Sequence, residues 1–169
     1  MAMGKGRQTR IGLSKPLADM QDDELIKLRA GLEVEMRRRH LGFSVGQIGE
    51  ALVIEHFNRT PGLPKLLKSP TGTKNVDALS RDGDRYSIKT ICTAKKTGTI
   101  YPDRDDMNKQ LFEFLLVARL SDDFKLGAIH QFSWRQFCGI RSWDKRMSAW
   151  YVGCADKTLA KATLIHRNR

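Results

Sequence analysis

The stretch from Asn75 to Ile91 constrains the fold more than any other part of the chain. Two runs suited to strands, Asn75–Ser80 and Asp84–Ile91, flank the polar triplet Arg81-Asp82-Gly83, a pattern that predicts a β-hairpin. The turn decides what the strands present, because a slip of one residue moves a whole set of side chains to the other face. A two-residue Asp82-Gly83 loop pairs Arg81 with Asp84 and puts Asp77 opposite Ile88. A three-residue loop, with Gly83 left-handed in a G1 bulge, pairs Ser80 with Asp84 and puts Asp77 opposite Ser87. The second register also gathers Val76, Tyr86 and Ile88 on one apolar face, and it is the register expected. Lys89 then shares a face with Asp77, one diagonal step away. An Asp and a Lys so placed can also be an ordinary cross-strand ion pair.

The rest of the chain supplies elements to pack against this hairpin. From about Met20 to Arg39, Leu25, Leu28, Leu32 and Met36 recur at spacings of three and four. Acids stand at the start of this run and Arg37, Arg38 and Arg39 at its end, which predicts an amphipathic helix. A second helix is expected to start at Ser44, with Gln47 completing a capping box, and to run to about Phe57. Its apolar residues surround most of the cylinder, so it should be largely buried. Prolines and glycines from Thr60 to Lys74 predict a basic loop. Strands are expected at Phe112–Leu120, Leu126–Phe132 and Ala149–Val152, with a short helix at Trp134–Cys138 capped by Ser133. Helices first, then a hairpin and further strands, predict a mixed α/β (α+β) layer fold.

At 169 residues the chain suits one domain with loose ends. The expected divisions are a basic flexible arm at 1–16, a domain at 17–156 that includes the first helix, and a basic C-terminal segment at 157–169. The 30 basic and 19 acidic residues leave a net charge of +11. Residues 61–104 alone carry nine basic against four acidic residues, so the excess is not confined to the ends. A field of this sign favours polyanions, since each neutralised phosphate releases condensed counterions. No apolar run is long enough for a membrane span and no secretory signal is evident, so the expected compartment is the cytoplasm. Cys92, Cys138 and Cys154, and the four histidines, lack the spacing of a disulfide framework or a zinc site.

Glu50 lies inside the mostly apolar second helix, where a carboxylate needs a cation, a metal or hydrogen bonds. Gly46 and Gly49 just before it allow close approach of another chain or of a phosphate backbone. The order of a helix with Gly-x-x-Gly-Glu (Gly46 to Glu50), a strand with Val76-Asp77, and a hairpin partner with Ser-Ile-Lys (Ser87 to Lys89) resembles the PD-(D/E)XK superfamily of restriction-endonuclease-like nucleases. The motif covers about residues 44 to 120. The resemblance implies a central mixed β-sheet flanked by helices and Mg²⁺-dependent (or Mn²⁺-dependent) hydrolysis of DNA phosphodiester bonds. By the same resemblance Asp77 and the backbone carbonyl of Ile88 would be metal ligands. Glu50 would hold or orient the metal and its water, and Lys89 would position or help deprotonate that water. Ser87 stands where the superfamily usually has Glu or Asp. Glu50, Glu113, or Asp103, Asp105 and Asp106, are the acids that could supply the missing charge.

Hard oxygen ligands suit Mg²⁺, and one or two carboxylates suffice when a substrate phosphate supplies more. Lys65, Lys68 and Lys74 before the hairpin, and Lys95, Lys96 and Arg104 after it, are the candidate DNA contacts; a solvated surface is the alternative. Trp134, Trp143 and Trp150 read as packing residues rather than base-stacking platforms. The alternative to a nuclease is a catalytically degenerate, DNA-binding version of the fold, or a subunit of a defence or repair complex. DNA is the expected partner, with homodimerisation or a protein partner left open.

Overall fold

In the computed structural model, which describes residues 15–42, 44–70 and 72–168, the hairpin turns on Gly83. Its φ of +89° is left-handed, and the Gly83 N–H donates to the Ser80 carbonyl. Ser80 N–H in turn donates to the Asp84 carbonyl at 2.9 Å, so the loop is the three-residue one. Ala78 faces Tyr86 and Leu79 faces Arg85, in the expected register. The regular ladder holds for β2 (Ala78–Ser80) against the start of β3 (Arg85–Ile91). At Asp77 it breaks, because the Asp77 N–H also goes to the Tyr86 carbonyl, at 2.8 Å. Two residues thus stand against one, as in a bulge, and this re-aims the Asp77 side chain.

The chain divides into two compact units, Met1–Leu41 and Gly42–Arg169. In the first, α1 (Asp22–Arg38) has three acids in its first turn, and the Gln21 N–H donates to the Glu24 carboxylate. Ion pairs at spacings of three and four line it, among them Lys27–Asp23, Arg29–Glu33 and Arg38–Glu35. The expected helix is present, but none of its residues is buried, and Leu25, Ile26, Leu32 and Val34 are exposed. A second apolar stripe, Ile26, Ala30 and Val34, lies nearly opposite Leu25, Leu28 and Leu32, so no single face collects the apolar side chains. The arm expected at 1–16 lies, except for Lys15 and Pro16, outside the described residues.

In the second unit six strands form one mixed sheet in the order β1-β2-β3-β4-β5-β8. The elements not yet given are α2 (Val45–Arg59), β1 (Leu66–Lys68), β4 (Phe114–Leu120), β5 (Leu126–Ser133), α3 (Trp134–Ile140), β6 (Arg141–Asp144), β7 (Ala149–Val152), α4 (Asp156–Leu159) and β8 (Thr163–Arg167). β3 and β4 run parallel and every other pair is antiparallel. β4 lies centrally with Leu115, Leu116, Val117 and Ala118 all buried, which explains its unbroken apolar run. One face carries Val53 and Phe57 of α2 on Leu66, Ala78, Tyr86, Ile88, Leu116, Ala118 and Ile129. The other carries Phe112, Phe137, Val152, Cys154 and Leu159 on Ile91, Leu115, Val117 and Phe132. Burying seven large apolar side chains on the α2 face and nine on the other, at roughly 1.5–3 kcal/mol apiece, is the main term holding the layers together.

Ser44 and Ser133 cap α2 and α3, each accepting from the backbone N–H three residues on, as expected. Only Gly49, Val53 and Phe57 of α2 are fully buried, so the helix lies on the sheet rather than inside the unit. The expected strand at Ala149–Val152 exists but pairs with β6 in a separate two-stranded sheet. The basic loop at 60–74 contains β1, and the segment expected to trail after 156 supplies α4 and β8, the edge strand of the main sheet. Cysteines 92, 138 and 154 are free thiols.

Candidate functional site

Asp77 sits where the β1–β2–β3 ladder ends. Its main-chain carbonyl accepts from Ser69 N–H at 2.9 Å, which ties it to the segment after β1. Its carboxylate oxygen Oδ2 accepts from the Ile88 N–H at 2.6 Å and from the Ser87 hydroxyl at 3.3 Å. The second oxygen, Oδ1, accepts no hydrogen bond among the described residues. An extended residue points its N–H and C=O to the same strand edge. The Ile88 carbonyl therefore lies on the edge that faces the Asp77 carboxylate. Ser87 is completely buried, and its hydroxyl is spent on Asp77. In place of an acid, this chain has a neutral donor here that orients an acid on the facing strand.

Lys89 is two residues beyond Ser87 on β3 and shares its face, about 7 Å along the strand. It is half-buried, and its side chain makes no hydrogen bond or ion pair among the described residues. The expected pairing of Asp77 with Ser87 is realised through side chains, and Lys89 is left unpaired rather than bonded to Asp77.

Glu50 approaches from α2. The helix lies tightly on β3 here: a Cβ built on Gly49 would come within 2.1 Å of Thr90 Oγ1. The Glu50 carboxylate, 18% exposed, pairs with Lys68 Nζ at 2.9 Å. Lys68 faces Ala78 on the side of the sheet that α2 covers, whereas Ser87 and Lys89 lie in register with Leu115 and Val117 of the other face, so Glu50 and Lys89 come to this end of the hairpin from opposite faces. Lys68 is thus committed to Glu50 as well as being a surface cation.

The other expected site residues divide clearly. Glu113 binds Arg85, accepting its backbone N–H at 2.7 Å, Nε at 3.0 Å and Nη2 at 2.8 Å. The Arg85 guanidinium holds the Glu113 carboxyl below its ordinary range, against a smaller opposing effect of burial. Glu113 is therefore a structural anchor of the β3–β4 entry and does not supply the charge missing at Ser87. Asp103 accepts from Lys109 Nζ at 2.9 Å and from the Asp105 and Asp106 N–H groups, and these contacts lower its carboxyl pKa. That acidic loop packs around its own lysine. Among the described residues no three His, Cys, Asp or Glu side chains gather into a set able to hold a metal ion. A site there would rest on Asp77, with Glu50 or a backbone carbonyl, which is within what Mg²⁺ accepts.

Of the basic residues, Lys65 bonds the Asn58 carbonyl, and Lys96 pairs with Asp144 at 3.1 Å and lies over the Tyr151 ring. Lys74 and Arg104 line a shallow cavity of about 320 Å³ with Arg85 and Lys109, while Lys95 is exposed. Trp134 packs edge-on against Phe112, and Arg141 stacks over Trp150 at 4.0 Å. No helix of the described residues is long and apolar enough to cross a membrane. Set against models of known protein families and against curated protein sequences, the chain matches none.

Proposed function

We propose that the second unit is a restriction-endonuclease-like domain that hydrolyses phosphodiester bonds of DNA with Mg²⁺ or Mn²⁺, at a site built on Asp77, Lys89 and Glu50. The observation that carries this reading is the posture of Asp77. One carboxylate oxygen is fixed by the Ile88 N–H while the other is left open, beside an unpaired Lys89. A carboxylate fixed in this way needs little reorganisation to accept a cation, with the Ile88 carbonyl as a second hard ligand. A divalent ion there supplies Lewis-acid polarisation of the phosphoryl oxygen and acidifies a water. Ser87 and Ile88 orient the Asp77 carboxylate. Lys89 offers an ammonium that steers the attacking water and offsets negative charge developing on the phosphate. Glu50, its charge balanced by Lys68, holds the α2 side of the site.

The buried Ser87 favours a second reading: the same fold with binding retained and cleavage lost, because one acid fewer faces the cation. Incubation of supercoiled plasmid and linear duplex with the full chain separates the two. Nicking that requires Mg²⁺ or Mn²⁺, and that Asp77→Ala abolishes while salt-sensitive binding persists, supports the nuclease. Binding without cleavage under either metal supports the binding module, and loss of both functions removes DNA as the partner.

A further inference from the structure

Toward the β8 edge of the sheet, away from Asp77, a cavity of about 590 Å³ opens over β4, β5 and β8 beside α4. Strand register builds it. Arg119 pairs with Ala128, and Ala128 pairs with Arg167, so two arginines stand in one row with only a methyl group between them. With neighbouring strands about 4.8 Å apart, their Cα atoms are roughly 10 Å apart and their guanidinium groups can converge over Ala128. His130, two residues on in β5, lies on the same face and also lines the cavity. Leu159 and Leu164 form an apolar wall.

The charge in this cavity is poorly compensated. Arg119 donates to the Cys154 carbonyl at 3.1 Å and lies 3.7 Å from Asp156, whose side chain is 97% exposed. The Arg167 side chain makes no hydrogen bond or ion pair among the described residues. His130 is 7% exposed, and its Nδ1 has no hydrogen-bond partner. Burial first, and then the fields of Arg119 and Arg167, push the His130 imidazole below its ordinary pKa. Two guanidiniums around one cavity call for an oxyanion. Guanidinium forks approaching from two sides match a phosphate, which offers acceptor oxygens in several directions, better than a carboxylate, which offers one edge. The cavity is far larger than a phosphate ion, and its leucine wall suits an organic body.

We propose that this cavity binds the phosphate of a nucleotide between Arg119 and Arg167, with the base or sugar against Leu159 and Leu164. The phosphate can belong to a free mononucleotide or to the 5′ end of a strand; the chemistry is shared, and the inference does not rest on the reading of Asp77.

Calorimetric titration of the full chain, without divalent metal, tests it with adenosine 5′-monophosphate, adenosine and a 5′-phosphorylated oligonucleotide beside its unphosphorylated form. Arg167→Gln is the principal variant, since Arg167 sits on an edge strand and holds no other group. The expected result is binding of a phosphorylated probe that is weakened about tenfold or more by Arg167→Gln. The His130 ring resonances should shift on saturation. Binding of the mononucleotide identifies a free ligand; binding of the phosphorylated strand alone identifies a strand end. The proposal is overturned if neither phosphorylated probe binds, if adenosine binds as well as its phosphate, or if Arg167→Gln changes nothing.

Discussion

Gly49 and Gly46 lie three residues apart on α2, and the structure assigns opposite signs to the same substitution at the two positions. A Cβ at Gly49 would meet Thr90 Oγ1 at 2.1 Å, Cγ2 at 2.3 Å and Cβ at 2.7 Å. Carbon atoms pack best near 3.5–4.0 Å, so helix and strand would have to separate by more than about 1 Å. Overpacking of this kind costs about 1–3 kcal/mol, and three short contacts, one to a backbone-anchored Cβ, place Gly49→Ala at the upper end. Replacing a helical glycine by alanine returns about 1 kcal/mol. The net expectation is a loss of about 2 kcal/mol, or roughly 8 °C in Tm for a unit of this size. At Gly46 the one neighbour of a new Cβ among the described residues is Ser44 Oγ at 3.7 Å, so Gly46→Ala should keep a propensity gain of about 0.5 kcal/mol. Denaturant unfolding followed by far-UV circular dichroism reads both. Thr90→Ala removes the two nearest atoms but not Cβ, so Gly49→Ala combined with Thr90→Ala should lose less than the two single losses together. A Gly49→Ala protein as stable as the parent, or a strictly additive double variant, would refute the close packing of α2 on β3 that brings Glu50 to the hairpin.

Two further outcomes follow from the charged groups. Burial lowers the pKa of both His56 and His130, helped by His166 in the first case and by the two arginines in the second. The unfolded chain then takes up protons first, so stability should be full above about pH 6.5 and fall as the pH drops from there toward 5. Unfolding midpoints at pH 7.5, 6 and 5 should show this slope, and His56→Gln and His130→Gln should each flatten it; an unchanged slope in both would count against the assignment. Glu113→Ala removes three hydrogen bonds to Arg85, which on a partly exposed pair should cost about 1–2 kcal/mol at pH 7. Because the folded Glu113 carboxyl titrates low, its contribution is present above its unfolded value and is lost as the pH falls through the folded one. Parent and variant should therefore converge in strongly acid solution, and a gap independent of pH would show that the charge is not what matters.

Sequence reasoning succeeded where one local signal decided one local structure. Gly83 after Arg81-Asp82 specifies the loop, and the loop fixes which residues face across the hairpin. Ser44 and Ser133 announce their helices through capping boxes. What stayed hidden depends on partners distant in sequence. β1 is three residues long among prolines, and it is a strand because β2 offers it an edge. β8 is polar and basic along much of its length, and only pairing to β5 makes it a strand. The commitment of Glu113 to Arg85 spans 28 residues and carries no local signature. The Arg119–Ala128–Arg167 row needs two registers at once, so no inspection of the chain alone would bring those arginines together. The bulge at Asp77 likewise follows from where two ladders end, and it is what turns the carboxylate onto the Ile88 N–H.

The claim on which the functional account rests is that Asp77 and the Ile88 backbone form the seat of a divalent cation. Paramagnetic broadening of backbone amide resonances by substoichiometric Mn²⁺ reads that seat directly, whether or not any DNA is cut. The account predicts selective loss of the Ile88 and Lys89 amide signals, recovery on adding excess Mg²⁺, and no effect in Asp77→Ala. Broadening confined to the Asp103–Asp106 loop, or broadening that persists unchanged in Asp77→Ala, would contradict it.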